Sequence, residues 1–328
     1  MSSSNTFYEC QVPLHGLFGA QVQGLDLATA DLQNDDLVAQ LKSDIKQHRL
    51  LLFRGFSKPL SGARQVELSS KLGTVESTFY QHPRSPDKDV FRVSNDEREG
   101  CRNVGRSGWH IDGTFMMAPF TYQTMYFPSV SKGGDTHFCP LYELYKRQNI
   151  KTQKRWDSYW MITSGRGGQG NTPVHPLVYK HPYRGDTTLC FHCGEPFVQG
   201  WLALDNDTDD QIQPTEESVH AAVGRDPKTM VPVSEIQNEI TRAIENCSDD
   251  LVLKMQWQEG DFAIIDNLGL AHYASPETQK PRKEAGLRIL HRTTILGNTN
   301  AGQVPHDDNE KALPVAVRKQ DGRSSFLM

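Results

Sequence analysis

Hydrophobic positions near the start of the chain recur at helical spacing. In residues 35–48, DDLVAQLKSDIKQH, apolar side chains return every three or four positions, which predicts a helix with one buried face. The run RLLLFRGF that follows predicts a buried strand. The segment LSGARQVELSSKLG predicts a second helix, with Ser61 as its N-cap and Gly73 as its stop.

Further along the chain the pattern changes to that of strands. Runs of β-branched and aromatic residues bounded by Gly, Pro, Asn or Asp predict strands in DVFRVSND, YQTMYFPSV, LVLKMQW, DFAIIDN and LRILHRTTIL. In LVLKMQW every second residue from Leu251 to Trp257 is apolar, whereas Lys254 and Gln256 are polar, so the strand has one buried face. We therefore expect a mainly β protein with flanking helices.

Residues 140–250 have a mixed pattern between these strands. CPLYELYKRQN is helical in character, a Gly-rich loop follows, and SEIQNEITRAIEN predicts a helix with Ser234 and Gln237 in a capping box. Strands on both sides of an irregular insertion predict a barrel or sandwich that carries a lid. Because no repeat and no Pro/Ser/Gly linker divides the chain, residues 1–328 are predicted to form a single domain.

The composition excludes several classes of protein. The chain has 35 Lys and Arg against 40 Asp and Glu, a net charge of −5, and no basic cluster, so we expect no nucleic-acid partner. No apolar run approaches the roughly 18 residues of a membrane span, and the first residues lack the pattern of a signal peptide. The thinly spread cysteines indicate reduced thiols and a cytoplasmic protein; they stand at positions 10, 101, 139, 190, 193 and 247.

A histidine and an aspartate lie two positions apart in SGWHIDGTF. On a strand, His110 and Asp112 would face the same side and could bind one ion, although such pairs also occur as ordinary polar pairs. A third ligand could be His272, which follows a hydrophobic strand in DFAIIDNLGLAHYASP. Two histidines and one carboxylate on one face of an ion leave positions open, as in non-haem Fe(II) oxygenases.

Two arginines stand four residues apart in LRILHRTTILG. On a strand Arg288 and Arg292 share a face, and an inward guanidinium is costly unless it meets an anion. Arginine binds a carboxylate through two parallel hydrogen bonds, so this face could recognise acidic ligands. The alternative is a pair of surface arginines. Thr136, in GGDTHF, adds a hydroxyl donor.

Other motifs are interpreted as structural. GRGGQG at residues 165–170 has the spacing of a dinucleotide-binding loop, but NTPVHP behind it cannot start the required helix, so it is predicted to be a lid loop. Cys190 and Cys193, in CFHC, have no second pair and are predicted to be structural thiols. His137 and His291 alternate away from Thr136 and from the two arginines, and we expect them in the core or at the surface.

Together these motifs resemble the taurine/2,4-D dioxygenase family of Fe(II)- and 2-oxoglutarate-dependent oxygenases. GLFGAQVQGLDLA, HRLLLFRGF, WHIDGTF, GGDTHF, DNLGLAHYA and RILHRTTILG follow in the family's order and at nearly its spacings. The resemblance implies a double-stranded β-helix, a jelly-roll core, with residues 140–250 as the lid. It further implies Fe(II) and O2 chemistry at three ligands, His110, Asp112 and His272.

The resemblance also implies binding roles for further residues. Thr136 and Arg288 would hold the distal carboxylate of the co-substrate 2-oxoglutarate, and Arg292 would face the prime substrate. His82, in FYQHP, matches a histidine that helps to bind the acidic group in the taurine enzyme. Arg106 replaces an asparagine of the bacterial members, so the substrate's identity does not transfer.

A longer segment between His272 and Arg288 makes Arg282 a rival for either arginine role, although RILHRTTILG fixes the register in favour of Arg288. If Arg106 and Arg292 both lie at the entrance to the site, we expect a small anionic substrate that is carboxylate-bearing and amino-acid-like. Hydroxylation, desaturation and oxidative cyclisation all remain open as outcomes. So do a cupin-like metal scaffold, a zinc hydrolase with the same ligands, and the choice between a monomer and a homo-oligomer.

Overall fold

A computed structural model describes residues 6–76, 81–105, 108–164, 173–193, 197–203 and 230–297. The strands among these residues are β1 (Glu9–Gln11), β2 (Ala20–Gln23), β3 (Leu50–Phe53), β4 (Val75–Glu76), β5 (Phe91–Ser94), β6 (Tyr122–Ser129), β7 (Thr136–Pro140), β8 (Tyr159–Thr163), β9 (Val174–Pro176), β10 (Val178–Lys180), β11 (Thr187–Leu189), β12 (Val198–Ala203), β13 (Met230–Val231), β14 (Leu253–Met255), β15 (Phe262–Asp266), β16 (Leu270–Ala274) and β17 (Ile289–Ile295). The α-helices are α1 (Asp35–His48), α2 (Gly62–Leu72), α3 (Leu141–Lys146), α4 (Ile150–Asp157), α5 (Val233–Glu245), α6 (Ser248–Leu251) and α7 (Arg282–Ala285), with a 3-10 turn at Pro276–Gln279. The prediction of a mainly β protein with flanking helices is confirmed.

The two helices predicted near the start of the chain are present with the expected ends. The side chain of Asn34 accepts hydrogen bonds from the first backbone N–H groups of α1, which covers residues 35–48 as predicted. Ser61 caps α2 by accepting from Arg64 N, and Gly73 follows its last residue. Local capping chemistry therefore sets these boundaries.

One local prediction is wrong and a second is confirmed only in part. The helix in SEIQNEITRAIEN begins at Val233, directly after Pro232, so Ser234 and Gln237 lie inside the helix and form no capping box. Pro232 occupies the N-cap position with an extended backbone, and no side chain caps this helix. In LVLKMQW only Leu253–Met255 is a strand, because the residues before it form α6.

The strands form two facing sheets at the centre of the described fold. The larger sheet has the order β1-β2-β3-β15-β6-β17-β4, with β5 paired to β17, and the smaller has the order β14-β7-β16. Apart from the parallel pair β2 and β3, the neighbours in both sheets are antiparallel. Their topology brings segments distant in sequence into adjacent strands.

Alternation along the strands gives the larger sheet two apolar faces. Leu51 of β3 packs in one cluster with Leu41 of α1, which covers the outer face. Leu52, its neighbour, packs in another cluster with Phe138 of β7 and Leu270 of β16, which belong to the smaller sheet. Because successive strand residues point to opposite faces, one sheet can contact both layers. The space between the two sheets holds the candidate site.

The segment 140–250 contributes a separate part of the described structure. Its strands form a four-stranded sheet, β13-β12-β8-β9, and the hairpin β10-β11. The fully buried Trp156 and Trp201 lie in the cluster that joins these elements to α3 and α5. The predicted lid loop at residues 165–170 lies outside the described residues. None of the described helices has both the length and the apolar character needed to cross a bilayer.

Candidate metal and anion site

Three side chains from two distant segments of the sequence converge between the sheets. Ligand atoms of His110, Asp112 and His272 all lie within 4.8 Å of one another. His272 Nε2 is 3.3 Å from Asp112 Oδ2, and His110 Nε2 is 4.0 Å from Asp112 Oδ1. The arrangement expected from the sequence is therefore present as a compact group of two imidazoles and one carboxylate.

Backbone pairing places the two histidines side by side. The N–H of His110 donates to the carbonyl of His272 across 3.1 Å, and the N–H of His272 donates back across 2.9 Å. Their ring centroids are 4.3 Å apart. His110 forms only isolated bridges and Asp112 lies in the following turn, so the expected strand at this pair is wrong. The turn still directs both side chains towards His272.

Hydrogen bonds and charges leave the donor atoms ready for a cation. His110 Nδ1 lies 2.7 Å from the carbonyl of Gly108, so its proton belongs on Nδ1 and leaves the Nε2 lone pair free. Burial, together with the charge of His272, lowers the pKa of His110 well below its ordinary value and keeps the ring neutral. Burial raises the pKa of Asp112, but the charge of Arg292 and the hydrogen bond from His272 outweigh it and hold that pKa low.

Asn267 fixes the backbone of the carboxylate ligand. Its Oδ1 accepts from the N–H of Asp112 across 2.8 Å, and its Nδ2 donates to the carbonyls of Asp112 and Phe120. The side chain is fully buried, so both ends of the amide are held by protein. Asn267 comes directly after β15, and its amide determines where the Asp112 turn lies.

The donor set fits a divalent transition metal. Neutral imidazole nitrogens and an ionised carboxylate are the protein ligands of non-haem Fe(II), and three of them on one side leave positions for other ligands. His110 and Asp112 are already in the protonation states that metal binding requires. Among the described residues, His110, Asp112 and His272 therefore match Fe(II) in number and type of ligand.

A cavity of about 200 Å³ lies beside Arg288. The Arg288 side chain is 4% exposed, its Nε has no hydrogen-bond partner, and it forms no ion pair with the described residues. Burial lowers the pKa of this guanidinium to about 10, which leaves it charged at neutral pH. Trp257 lines the same cavity and donates from Nε1 to Thr136 Oγ1 across 2.9 Å. An unpaired buried cation beside an open space can accept an acidic ligand.

Arg292 lies at the metal group itself. Its Nη1 donates to Asp112 Oδ2 across 2.7 Å, and its guanidinium carbon stands 5.2 Å from the centre of the Phe91 ring. The sequence left open whether Arg292 meets a substrate anion or a protein carboxylate. Asp112 is a carboxylate partner, so the charge of Arg292 does not by itself require an anion from a substrate, and the inward direction of Arg292 is as expected.

The other predicted residues lie in different environments. His82 is half-buried, with Nε2 at 3.1 Å from the carbonyl of Glu97 and Nδ1 accepting from Arg84 N. The rival Arg282 is half exposed, and its Nη1 lies 3.4 Å from Asp96 Oδ2, which favours Arg288 as the buried anion receptor. Arg106 lies outside the described residues.

Several residues that were predicted to have structural roles are among the described residues. His291 faces away from the site and lies 2.7 Å from Arg92 Nη1, and His137 packs against the rings of Trp109 and Tyr273. Both placements agree with the expected alternation. All six cysteines are free thiols; Cys190 is buried, and burial raises the pKa of Cys193 to about 12.

Sequence reasoning missed three polar residues at the metal group. Asn267 is one, and Gln123 of β6 is a second, with its Nε2 at 3.4 Å from His272 Nδ1. His192 is the third, and its ring stacks on His110 with centroids 4.6 Å apart. The turn residues Asp-Asn before His272 were the one available signal for Asn267. The CFHC motif was interpreted through its two cysteines, and the histidine between them was overlooked.

Comparisons with known proteins identify relatives of the chain and a shared fold. The chain is 29% identical over 315 residues to the alpha-ketoglutarate-dependent 2,4-dichlorophenoxyacetate dioxygenase of Cupriavidus pinatubonensis, covering 87% of this chain and 96% of that protein. It is 25% identical over 282 residues to pentalenolactone F synthase of Streptomyces avermitilis, covering 77% and 84%. A crystal structure of a taurine dioxygenase from Burkholderia xenovorans superposes with a TM-score of 0.63 at 21% identity, covering 90% of this chain and 92% of the other, which shows a shared fold.

The resemblance found in the sequence motifs is confirmed over most of the chain. The model of the family described as taurine catabolism dioxygenase TauD, TfdA family matches residues 11–294. The protein therefore belongs to this family of dioxygenases, which use Fe(II), 2-oxoglutarate and O2.

Proposed function

We propose that this dioxygenase oxidises a C–H bond of a small anionic metabolite that is carboxylate-bearing and amino-acid-like. The combination of two features carries the proposal. His110, His272 and the ionised Asp112 form a metal group, and the buried guanidinium of Arg288, which forms no ion pair with the described residues, lies beside a cavity that Asp135 also lines. Hydroxylation, desaturation and oxidative cyclisation are the candidate outcomes.

In this proposal His110 and His272 bind Fe(II) through Nε2, and Asp112 binds it through its carboxylate. The metal supplies the redox chemistry that couples the conversion of O2 and 2-oxoglutarate into succinate and CO2 to oxidation of the substrate. The protein positions the ligands: Gly108 fixes the His110 ring, and Asn267 fixes the Asp112 backbone. Such outer contacts orient metal ligands and tune their basicity.

Arg288 and Thr136 would bind the distal carboxylate of 2-oxoglutarate. A carboxylate in the cavity would neutralise the buried charge of Arg288 and could accept two parallel hydrogen bonds from it. Trp257 connects the two residues, because it lines the cavity and donates to Thr136. Gly134 leaves room for this arrangement, since an added Cβ there would lie 3.3 Å from Arg288 Cδ.

The prime substrate would lie on the side of the metal group that carries Arg292, with His82 and Arg106 as further polar contacts. Arg292 lies against the Phe91 ring, and half-buried aromatic rings lie beyond His192, which stacks on His110: Phe197 is 4.6 Å from the His192 ring and 6.1 Å from the Phe115 ring, centre to centre. A cation next to aromatic surface suits an acid with an apolar portion. The relative that acts on 2,4-dichlorophenoxyacetate takes a substrate of that kind.

We interpret the two facing sheets as a double-stranded β-helix, with residues 140–250 as a lid and the whole chain as one domain. The register in which β6 pairs with both β15 and β17 supports this interpretation, as does a family match that spans residues 11–294. The free thiols support the predicted cytoplasmic location.

The function can be tested without knowing the prime substrate. Adding Fe(II) and then 2-oxoglutarate to the metal-free protein without oxygen should produce a visible charge-transfer band, because the two α-keto acid oxygens chelate the iron. Asp112→Ala should abolish the band. If no band forms in the wild type although Fe(II) binds, the cupin-like scaffold is favoured. Hydrolytic activity with Zn(II) that needs no O2 would instead favour the zinc hydrolase.

A further inference from the structure

Gln123 of β6 is fully buried and its amide faces a metal ligand. Its Nε2 lies 3.4 Å from Nδ1 of His272, on a strand whose inward face lies between the two sheets. Its Oε1 has no hydrogen-bond partner. A buried polar atom without a partner is costly, so the orientation of this amide calls for an explanation.

The contact fits one tautomer of His272 in the absence of an ion. His272 Nε2 lies 3.3 Å from Asp112 Oδ2, so a proton on Nε2 can be shared with that carboxylate. Nδ1 is then an acceptor, and the NH2 group of Gln123 can donate to it, as the structure has it.

A metal ion requires the other tautomer. When Nε2 gives its lone pair to the ion, the ring proton must sit on Nδ1, where it would meet the NH2 group of Gln123, donor against donor. We propose that Gln123 is a positioning residue whose amide turns over by 180° when metal binds, so that Oε1 accepts the proton of His272 Nδ1. This inference rests on the proposed function, because it takes His272 as a metal ligand.

A glutamine suits this position because its amide has a donor at one end and an acceptor at the other. Either tautomer of His272 finds a partner after rotation about a single side-chain bond, and β6 need not move. The exchange of tautomers moves the ring proton from Nε2 to Nδ1, so it takes up and releases no net proton. An outer partner of a ligating histidine typically contributes about 10- to 100-fold to metal affinity.

Three variants separate positioning from folding. Gln123→Met keeps the length of the side chain and removes the hydrogen bond, whereas Gln123→Glu keeps an acceptor for Nδ1–H. Gln65→Met is the matched control, because Gln65 is also fully buried with an unpaired Oε1 but bonds Thr124 and the carbonyl of His291 away from the ligands. Fe(II) and Zn(II) affinities would be measured anaerobically on metal-free proteins whose folding has been checked by circular dichroism.

We expect Gln123→Met to weaken metal binding roughly 10- to 100-fold, Gln123→Glu to recover most of it, and Gln65→Met to bind as the wild type does. In 15N-histidine NMR spectra of the wild type, the His272 proton should be on Nε2 without metal and on Nδ1 with Zn(II).

Wild-type affinity in Gln123→Met, or a Gln123→Glu variant as weak as Gln123→Met, would overturn the inference. A proton on Nδ1 in both states would refute the amide rotation, and this NMR test stands even if Gln123→Met does not fold. His272→Ala distinguishes a failure of the proposed function from a failure of the positioning role of Gln123. If it binds metal as tightly as the wild type, the proposed function itself fails; if it loses metal while Gln123→Met does not, only the positioning role fails.

Discussion

Arg292 and Asp112 form a direct ion pair in which Arg292 Nη1 donates to Asp112 Oδ2 across 2.7 Å. The two residues stand 180 positions apart in the chain. The pair connects the metal group to the side proposed for the prime substrate, because one guanidinium can orient the carboxylate ligand and also bind an incoming anion. It also keeps the pKa of Asp112 low despite burial.

Replacing Arg292 should therefore change two measurable properties. We expect Arg292→Met to weaken Fe(II) binding, because the carboxylate loses the cation that orients it, and also to reduce the stimulation of succinate formation by small acids. Small acids and their neutral amides would be compared on both proteins. If metal affinity falls while the response to acids stays intact, Arg292 serves Asp112 alone. If neutral amides stimulate the wild type as well as acids do, the substrate is not recognised through its charge.

Removal of any one metal ligand should abolish stoichiometric iron binding. His110→Ala, Asp112→Ala and His272→Ala each leave an incomplete set of donors, so we expect folded proteins that retain little Fe(II) after gel filtration. His137→Ala is the control, since His137 packs against Trp109 and Tyr273 on the other face of β7. Iron retained by His272→Ala at the wild-type level would show that the third ligand has been misassigned.

The affinity for 2-oxoglutarate should depend on Arg288. A charge-assisted pair in a buried site contributes about 1.5–3 kcal/mol, so Arg288→Ala should weaken 2-oxoglutarate binding roughly ten- to a hundred-fold. Arg288→Lys should recover only part, because an ammonium cannot form two parallel hydrogen bonds. Titration of the charge-transfer band measures both. Arg282→Ala is the matched control, and a larger effect there than in Arg288→Ala would reverse the assignment.

Asn267 should affect stability and metal binding together. Asn267→Ala leaves the buried carbonyls of Asp112 and Phe120 without their donor, and each such loss costs about 1–3 kcal/mol. We expect a lower free energy of unfolding in urea and weaker Fe(II) binding, because the turn that carries Asp112 is no longer held. Asn246→Ala, at the exposed end of α5, provides the comparison. Unchanged metal affinity in Asn267→Ala would show that Asp112 keeps its place without the amide.

His291 should make the fold sensitive to acid. Burial, with a smaller contribution from the charge of Arg92, lowers the pKa of His291 to about 3 from an ordinary 6.5. Between those two values the unfolded chain binds a proton that the native chain does not, so the free energy of unfolding falls as the pH falls. One such group contributes up to about 1.4 kcal/mol per pH unit.

Urea unfolding of the metal-free wild type and of His291→Gln at several pH values between 6.5 and 4 would measure this effect. The glutamine can still accept from Arg92 but does not titrate, so the variant should show the shallower dependence on pH. Equal slopes in the two proteins would mean that His291 is not the group responsible.

Local pattern was enough to predict much of the fold. Helix α1 and the ends of α2 follow from periodicity and from the caps at Asn34 and Ser61, which act within one turn. The same kind of reasoning failed at α5, because that helix begins at Val233, ahead of the predicted cap at Ser234. Competition between neighbouring start signals is not resolved by spacing alone.

By itself the sequence determined which residue types could form the site, since His110, Asp112, His272 and Arg288 stand in motifs whose chemistry and order are readable along the chain. Only the tertiary structure decided what surrounds them. The partner of Arg292 is 180 residues away, that of Gln123 is 149 residues away, and Asn267 reaches Asp112 across 155 residues. Such contacts depend on how β6, β15, β16 and β17 pair, and strand pairing is set by packing of the whole sheet, which no local periodicity encodes.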